Sequence, residues 1–296
     1  MLYKQVLQNK RKTIMLVTLF SILVLAIGWG IGYLFGNDPY TGLIITIIIL
    51  AIYLPMTYFT ASSQVLSMAG AQEILKEDHP QLFDIVEELS LAARIPMPKV
   101  YIVNDPSPNA FATGIKPKKG AVSVTTGLLE KLNREELTGV VAHEIGHIRN
   151  YDIRLMTICI ALVGVVAILA NMGSRMMLFG GGRNRGGNNK QNPILMIVAL
   201  LLVILAPLAA QFVQLAVSRN REYLADATAV ELTRNPVGLI NALRKISGDS
   251  HDVKRANSTT ASMYIDMPLK KERRKRASLL STHPPIESRI ERLENM

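Results

Sequence analysis

Four long apolar runs constrain this chain more than any other feature of its sequence. Hydrophobic residues make up 49% of the 296 positions, and they are bunched rather than spaced with the period of one helix face or one strand face. The runs occupy 15–35, 41–59, 155–179 and 193–217. Each run is about long enough to cross roughly 30 Å of hydrocarbon as a helix. The sequence therefore predicts a mostly α-helical membrane protein with four hydrophobic helices.

The first two runs predict a transmembrane hairpin within residues 1–60. They are separated by a tight turn, which consists of Gly36, Asn37, Asp38 and Pro39. A cleaved signal peptide is the alternative for the first run. That run is long for the apolar part of a signal peptide, it lacks an evident small-residue cleavage site, and a second apolar run follows at once. These features favour two membrane helices.

The third and fourth runs predict a second hydrophobic hairpin over 155–217. The segment between them, 180–190, is rich in glycine and asparagine and has the composition of a flexible linker. Both runs contain polar residues, and polar groups inside a membrane span usually face protein or water. The hairpin is therefore expected either to pack against a functional site or to make ordinary helix–helix contacts. It either crosses the bilayer fully or enters and returns on one side. Polar residues interrupt both runs, at Asn171, Arg175, Gln211 and Gln214.

Basic residues before the first run predict the orientation, because cytoplasmic loops carry an excess of lysine and arginine. The turn after the first run has no basic residue, whereas four precede the run: Lys4, Lys10, Arg11 and Lys12. We therefore expect a multi-pass protein of the cell membrane whose regions 61–154 and 218–296 face the cytoplasm. The linker of the second hairpin is also basic, because it contains Arg183, Arg185 and Lys190. A hairpin that crosses the membrane fully would place these charges outside the cell, which conflicts with the rule.

A His-Glu-x-x-His motif, from His143 to His147, lies in a segment predicted to be helical. Four residues is just over one helical turn, so both imidazoles project from one face and can share one metal ion. The helix is predicted to begin at Asn133, a good N-cap residue followed by an acidic first turn. Two histidines at this spacing suit Zn²⁺, and Glu144 lies where a base for the attacking water is needed. The alternative is a chance pattern on an amphipathic helix. This alternative is weak, because a chain of 296 residues with only five histidines rarely contains the motif by chance.

A catalytic zinc site usually has three protein ligands, and the best candidate for the third is Glu222. This residue closely follows the fourth apolar run, which should continue there as a helix. Asp226 lies four residues further on the same predicted face, where it can hold the other ring nitrogen of a ligand histidine. The alternative is a solvated acidic pair beside Arg219 and Arg221.

The regions outside the apolar runs predict a mixed α+β domain. The segment 72–95 has the apolar spacing of an amphipathic helix with Leu75 on its apolar face, while Lys99–Val103 and Ala121–Thr125 resemble short strands. A few strands beside a metal-bearing helix are typical of a zinc peptidase, because an edge strand can hold an extended peptide by main-chain hydrogen bonds. The segment 109–114 lies between the two strands, and the alternative for it is an ordinary turn.

Three motifs occur in order along the chain: His-Glu-Ile-Gly-His at 143–147, Ser-Arg-Asn-Arg-Glu-Tyr-Leu-Ala-Asp at 218–226, and Ser-Thr-His-Pro-Pro at 281–285 with a following arginine. Together with the four apolar runs they resemble the HtpX family of membrane-bound zinc metalloproteases, which is related to the CAAX prenyl proteases. The resemblance covers essentially the whole chain. It implies a cytoplasmic zincin-like α+β metalloprotease domain that the second hairpin divides into two parts, 61–154 and 218–296.

The resemblance also implies the roles of the central residues. It implies one zinc ion per chain, with His143, His147 and Glu222 as the ligands. Glu144 is implied to be the catalytic base, which takes a proton from water and returns it to the leaving amine. Asp226 is implied to support a ligand histidine.

The remaining site residues come from the same resemblance. It implies that 109–114, beginning with Asn109, contributes to the peptide-binding edge. It further implies that His283 and Arg289 approach the site, with His283 as a candidate donor to the oxyanion. The alternative for 282–285 is a rigid turn before a short terminal helix over 286–293.

Three functions fit this sequence. The favoured one is an endopeptidase that cleaves membrane-associated or misfolded proteins at the cytoplasmic face, which the resemblance ties to membrane protein quality control and the stress response. The first alternative is a prenyl-protein (CAAX-type) processing protease, although four apolar runs offer little wall for a large enclosed chamber. The second is a non-catalytic scaffold stabilised by zinc, which would have no use for Glu144.

The net charge and the cysteine content limit the classes of binding partner and of metal site that the chain can have. The net charge is +10, and a dense basic block lies at 270–276. This block is expected either to attract anionic lipid headgroups or to be a solvated loop, and without a reader motif we predict no nucleic-acid partner. The single cysteine, Cys159, excludes a disulfide within the chain and a thiolate zinc site. The predicted partners are therefore protein or peptide substrates and the lipid bilayer.

Overall fold

The computed structural model of this protein describes residues 2–36, 39–163, 219–249, 251–254, 256, 260–266 and 284–296. Within these ranges a hairpin of two long helices leads into an α+β unit. Several predicted features lie outside the described residues: the third apolar run beyond 163, the linker 180–190, the fourth run, the basic block 270–276 and His283.

Both segments of the first predicted hairpin are helical, as α1 (Leu2–Gly36) and α2 (Pro39–Ala69). Among the described residues, one helix is long and apolar enough to cross a membrane, Tyr40–Ala69, with a mean hydropathy of 2.2. The other three predicted membrane helices are not confirmed by this criterion. The outward faces of both helices expose large apolar side chains, including Ile14, Ile22, Trp29, Ile44, Ile48, Ile52 and Phe59. A surface of this kind needs an apolar environment.

A four-stranded sheet follows α2 directly. Its strands are β1 (Ala71–Glu73), β2 (Lys99–Val103), β3 (Ala110–Thr113) and β4 (Ala121–Thr125), in the order β1-β2-β4-β3. β2 and β4 run parallel, whereas β1 and β3 pair antiparallel with their neighbours. The two predicted strands are confirmed with the predicted bounds. The segment 109–114 contains β3, which is an outer strand of the sheet.

The helix predicted over 72–95 is shorter in the structure, where α3 spans Pro80–Ala93. Two local features delay its start. The chain at Ala71–Glu73 pairs with β2, and Pro80 occupies the first turn of α3 while the His79 ring accepts a hydrogen bond from the Leu82 amide, as suits a helix start. Leu75, predicted on the buried face, is therefore 63% exposed.

The remaining helices surround the sheet. They are α4 (Thr126–Lys131), α5 (Arg134–Arg149), α6 (152–163), α7 (Arg219–Thr233), α8 (Pro236–Ser247) and α9 (Ile286–Glu294). The central helix is α5, which contacts α3, α7, α8 and β3. At its crossing with α8, a Cβ atom on Gly139 would lie 2.6 Å from the Leu239 amide nitrogen, so glycine permits the close approach. Side chains of these elements form the main core, including Leu82, Val86, Val122, Val124, Val140, Ile145, Leu239, Leu243 and Leu293.

The helix α6 connects this core to the hairpin of α1 and α2. Its side chains Leu155 and Ile158 share one apolar cluster with Phe20 of α1 and Leu50 of α2. The Tyr53 hydroxyl donates a hydrogen bond of 3.2 Å to the carbonyl oxygen of Leu162. The chain therefore passes from the end of α5 along the surface of α2.

Candidate active site

The helix α5 carries the His-Glu-x-x-His motif in the interior of the molecule. Its start is fixed by a capping box, in which the Asn133 side chain accepts from the Glu136 amide and the Glu136 carboxylate accepts from the Asn133 amide, each at 2.9 Å. This confirms the predicted cap. His143 and His147 lie on one face, with their Nε2 atoms 3.2 Å apart.

The helix α7 brings Glu222 to the two imidazoles. It packs closely on α5 at Gly146, where a Cβ atom would lie 3.2 Å from Cβ of Thr228. The Glu222 carboxylate oxygens lie 3.8 Å from His143 Nε2 and 3.6 Å from His147 Nε2. One donor atom from each of the three side chains lies within 4.8 Å of the others. Atoms that share a tetrahedral zinc ion at ~2 Å are about 3.3 Å apart, so this set fits a single small metal ion.

The outer ring nitrogens of both histidines face carboxylates. Asp226 Oδ1 lies 2.9 Å from His143 Nδ1, and Asp152 Oδ2 lies 3.2 Å from His147 Nδ1. Metal-ligating histidines usually have such a partner, because it fixes the tautomer and turns the other nitrogen toward the ion. Asp226 was predicted for this place from its helical spacing. Asp152 was not, because it follows a turn in which Tyr151 has a left-handed φ of 60°, so no helical spacing relates it to His147.

The electrostatics of the two imidazoles differ. Burial lowers the pKa of His143 to about 4, and the nearby Arg289 charge acts in the same direction. Burial also opposes protonation of His147, but the hydrogen bond to Asp152 and the charge of Glu222 outweigh it and raise the pKa of His147 to about 9. Since a ligand histidine must be neutral, metal binding competes with a proton at His147.

Glu144 lies beside this group with its side chain buried, 2% exposed. Burial raises the pKa of Glu144 to about 7, and the neighbouring Glu222 carboxylate adds to the effect. The backbone of Ala112 in β3 forms a hydrogen bond with this carboxylate. Glu144 therefore lies between the histidines and the outer strand of the sheet, which is a suitable place for a general base.

Arg289 lies behind the site, with 0% of its surface exposed. Its guanidinium donates to both oxygens of Asp226, from Nε at 2.9 Å and from Nη2 at 2.6 Å. Its Nη1 atom donates to the carbonyl oxygen of Ile265 at 3.1 Å. Although burial opposes it, the Arg289 charge keeps the pKa of Asp226 below its usual value. Arg289 also lies 3.3 Å from His143 Nδ1, measured from Nη2, and 3.9 Å from Glu222 Oε2, measured from Nη1. The structure thus places Arg289 next to the proposed ligands, as predicted, although it is not among the residues that line the cavity.

A cavity opens in front of Glu144 and the two histidines. Its wall includes Ala112, Asp152, Ile153, Met156, Arg221 and Met263. One side is formed by the segment 260–266, which lies along the outer edge of β3. There the Ile265 amide donates to the Ala110 carbonyl at 3.0 Å, and Asn109 Nδ2 donates to the Asp266 carbonyl at 3.0 Å.

Asn109 is fully buried in this arrangement, with 0% exposed. Its side-chain oxygen accepts a hydrogen bond of 3.1 Å from the Ala110 amide. The structure therefore brings His143, Glu144, His147, Glu222 and Asp226 together, and it places Asn109 in a chain-internal hydrogen-bond network. His283 lies outside the described residues.

Comparison with known proteins gives the family. The model of Peptidase family M48 matches residues 76–296. Proteins described as Protease HtpX homolog are similar over 100% of both chains, with 55% identity in Listeria monocytogenes, 51% in Ligilactobacillus salivarius and 48% in Lactobacillus helveticus.

Among solved structures, the crystal structure of S. mikatae Ste24p matches 99% of this chain and 67% of its own length, with a TM-score of 0.45 and 20% sequence identity. The family match extends over the motif helix, Glu222 and the C-terminal helix, and the full-length relatives also include the N-terminal helical hairpin. The chain belongs to peptidase family M48 and is a membrane-bound metalloprotease of the HtpX type.

Proposed function

We propose that this protein is a zinc-dependent endopeptidase that cleaves membrane-associated and misfolded proteins at the cytoplasmic face of the cell membrane. Its roles would be membrane protein quality control and the stress response. One observation supports the chemistry above all others: His143, His147 and Glu222 offer three donor atoms within 4.8 Å, with Glu144 beside them. Two imidazole nitrogens and one carboxylate oxygen are a common donor set for catalytic zinc.

The buried charge around these donors also fits a divalent cation. Four carboxylates surround the histidines, whereas two guanidinium groups, Arg221 and Arg289, lie near them. The carboxylates belong to Glu144, Asp152, Glu222 and Asp226. When His147 is neutral, as a ligand must be, and Glu144 is ionised, the carboxylates outnumber the cations, and such an excess of negative charge in a buried place favours a bound cation.

The mechanism follows from where these side chains lie. His143 Nε2, His147 Nε2 and Glu222 would hold zinc, which when bound supplies a Lewis acid for activating water and polarising the scissile carbonyl. Glu144 takes the proton of the attacking water on its carboxylate and returns it to the nitrogen of the leaving amine. The backbone of Ala112 keeps that carboxylate turned toward the cavity.

The substrate would lie as an extended chain between α5 and the part of β3 that borders the cavity. Ala112 is the residue of β3 in the cavity wall, so its carbonyl is the candidate main-chain contact. We assign to Asn109 a supporting role, because its side chain holds the segment 260–266 against β3. Arg289 supports Asp226, and His283 remains a proposed donor to the oxyanion from its motif alone.

The proposed organisation has two membrane hairpins, within 1–60 (15–35 and 41–59) and over 155–217 (155–179 and 193–217), and two cytoplasmic parts, 61–154 and 218–296. It is supported by the path of α6, which begins beside the site at Asp152 and follows α2 toward Tyr53. Met156, one turn into α6, touches both the cavity and the hairpin cluster. The site therefore lies close to the proposed membrane surface, where substrates embedded in the bilayer are within reach.

The central test replaces the proposed base. Glu144→Gln should abolish cleavage of an unfolded membrane protein by the purified protein in lipid nanodiscs, because an amide cannot accept the proton. The metal content of the same sample should stay at about one zinc per chain, since the ligands are untouched. Glu130→Gln is the matched control, because Glu130 is exposed and is not among the residues that line the cavity.

Cleavage by the Glu144→Gln protein at a rate near wild type would contradict the mechanism. A prenylated peptide and its unmodified counterpart should be assayed in parallel. Comparable cleavage of both is expected, whereas strict dependence on the prenyl group would replace the proposed substrate class.

A further inference from the structure

We propose that Arg221 is a further catalytic residue, whose guanidinium binds the negative charge that develops on the carbonyl oxygen of the scissile peptide bond. The inference rests on the proposed peptidase function. Arg221 precedes the proposed ligand Glu222 on α7, and its side chain lines the same cavity as His143, Glu144 and His147. Among the described residues that line this cavity, Arg221 is the one permanently charged cation.

The Arg221 side chain is half-buried at the wall of the cavity. Among the described residues, the charged neighbours of Arg221 act on it through space, and none is recorded as forming a hydrogen bond with its side chain. The two carboxylates that attract it at longer range, Asp152 and Glu222, face the ligand histidines instead. A guanidinium in this position at the wall of a catalytic cavity therefore has donors available for a substrate.

Glu144 and Arg221 occupy different sides of the cavity. The carboxylate of Glu144 contacts the backbone of Ala112 in β3, and its charged neighbours are His147, Glu222 and Arg289. The charged or titratable neighbours of Arg221 are Asp152 and Cys159 of α6, together with Glu222 of α7. A peptide carbonyl beside the ligands would thus have the base on its β3 side and the guanidinium on its α6 side.

This placement suits the charge movement of peptide hydrolysis. As the water oxygen bonds to the carbonyl carbon, the π electrons move to the carbonyl oxygen and Glu144 takes a water proton. The N–H groups of Arg221 can donate to that oxygen when it becomes anionic, and a charge-assisted hydrogen bond is strong in a site that excludes water. When the carbon–nitrogen bond breaks, the electrons return to the carbonyl and Glu144 gives its proton to the leaving nitrogen.

A purely structural role makes a different prediction. If Arg221 only offsets the charge of Asp152 and Glu222, its loss should change zinc affinity. If it binds the oxyanion, its loss should weaken the transition state and leave zinc and substrate binding nearly unchanged.

The test compares Arg221→Met with wild type and with Arg219→Met, which removes an exposed arginine two residues earlier on α7. We expect kcat to fall about 100-fold to 1,000-fold, as for the loss of one oxyanion donor, with KM within about threefold. The inhibition constant of a substrate-like phosphinic peptide, whose tetrahedral anion resembles the transition state, should weaken by a similar factor. The zinc dissociation constant, measured by competition with a fluorescent chelator, should match that of wild type, and Arg219→Met should behave as wild type.

An unchanged phosphinic-peptide affinity, a rise in KM alone, or loss of zinc from Arg221→Met would each overturn the assignment. Arg221→Lys is a second variant for the case in which Arg221→Met folds poorly. It keeps the positive charge, so it should retain more activity than Arg221→Met. An equal loss of activity in Arg221→Lys and Arg221→Met would also overturn the assignment. If wild type itself fails to cleave peptides, the proposed function fails, whereas an active wild type with an equally active Arg221→Met removes only this inference.

Discussion

Two carboxylates hold the imidazole rings of the site from behind. Asp226 lies 2.9 Å from His143 Nδ1, and Asp152 lies 3.2 Å from His147 Nδ1. Each carboxylate favours the tautomer whose Nε2 lone pair faces the cavity. Arg289 in turn holds Asp226 by two hydrogen bonds. Residues of α6, α7 and α9 thus fix the positions of the two imidazole rings.

Replacing Asp152 tests this support. Asp152→Asn should weaken zinc affinity about 10-fold to 100-fold, because a neutral amide no longer stabilises the ring of His147 in its ligating orientation. Competition with a fluorescent zinc chelator measures the dissociation constant. Asp84→Asn, at a side chain of α3 that is 39% exposed and pairs with Lys76, should leave the dissociation constant unchanged. Equal affinity in the two variants would show that His147 binds metal without help from Asp152.

Among the secondary-structure elements, the outer strand β3 performs two tasks. Its Ala112 backbone contacts Glu144, while its Ala110 carbonyl accepts from the Ile265 amide in the segment 260–266. Asn109, at the entry to β3, ties the two pieces together through the Asp266 carbonyl and the Ala110 amide. The part of the edge left for a substrate is therefore the part that borders the cavity.

Asn109→Ala should lower the free energy of unfolding by about 1–3 kcal/mol, because buried backbone groups of Ala110 and Asp266 lose their partner. Thermal unfolding in detergent, followed by circular dichroism, measures the effect. Asn295→Ala removes an exposed asparagine near the C-terminus and serves as the control. No loss of stability relative to that control would mean that the segment 260–266 is held by other contacts.

Local patterns predicted the elements whose structure is set by local chemistry. The strands Lys99–Val103 and Ala121–Thr125 and the cap at Asn133 follow from alternation and capping, and the helical period predicted that His143 and His147 share a face. Features that depend on tertiary contacts were missed. Pairing of β1 with β2 displaces the start of α3, and Asp152 reaches His147 only after a turn. Nothing in the spacing of Arg221 distinguishes it from a solvated arginine.

For the molecule as a whole, α6 sets the distance between the site and the hairpin of α1 and α2, which is the proposed membrane anchor. It begins at the cavity, where Asp152 lines the wall, and its Leu155 and Ile158 pack on the hairpin of α1 and α2. Glu222 lies on the far side of the 155–217 segment in sequence, yet 3.6 Å from His147 Nε2. In the proposed organisation, the segment between these ligands therefore enters the membrane from the cytoplasmic side and returns to that side.

Cysteine labelling tests this topology. In a Cys159→Ser background, cysteines replacing Glu130 and Glu291 lie at exposed positions before and after the second hairpin. Both should stay unlabelled by a membrane-impermeant maleimide in intact cells and react after lysis, because the proposed organisation places both parts of the site in the cytoplasm. A cysteine replacing Asn188 should be labelled from outside if the hairpin crosses fully and protected if it enters and returns. External labelling at either Glu130 or Glu291 would contradict the cytoplasmic orientation, and labelling at one of them alone would separate His147 from Glu222 and remove the proposed metal site.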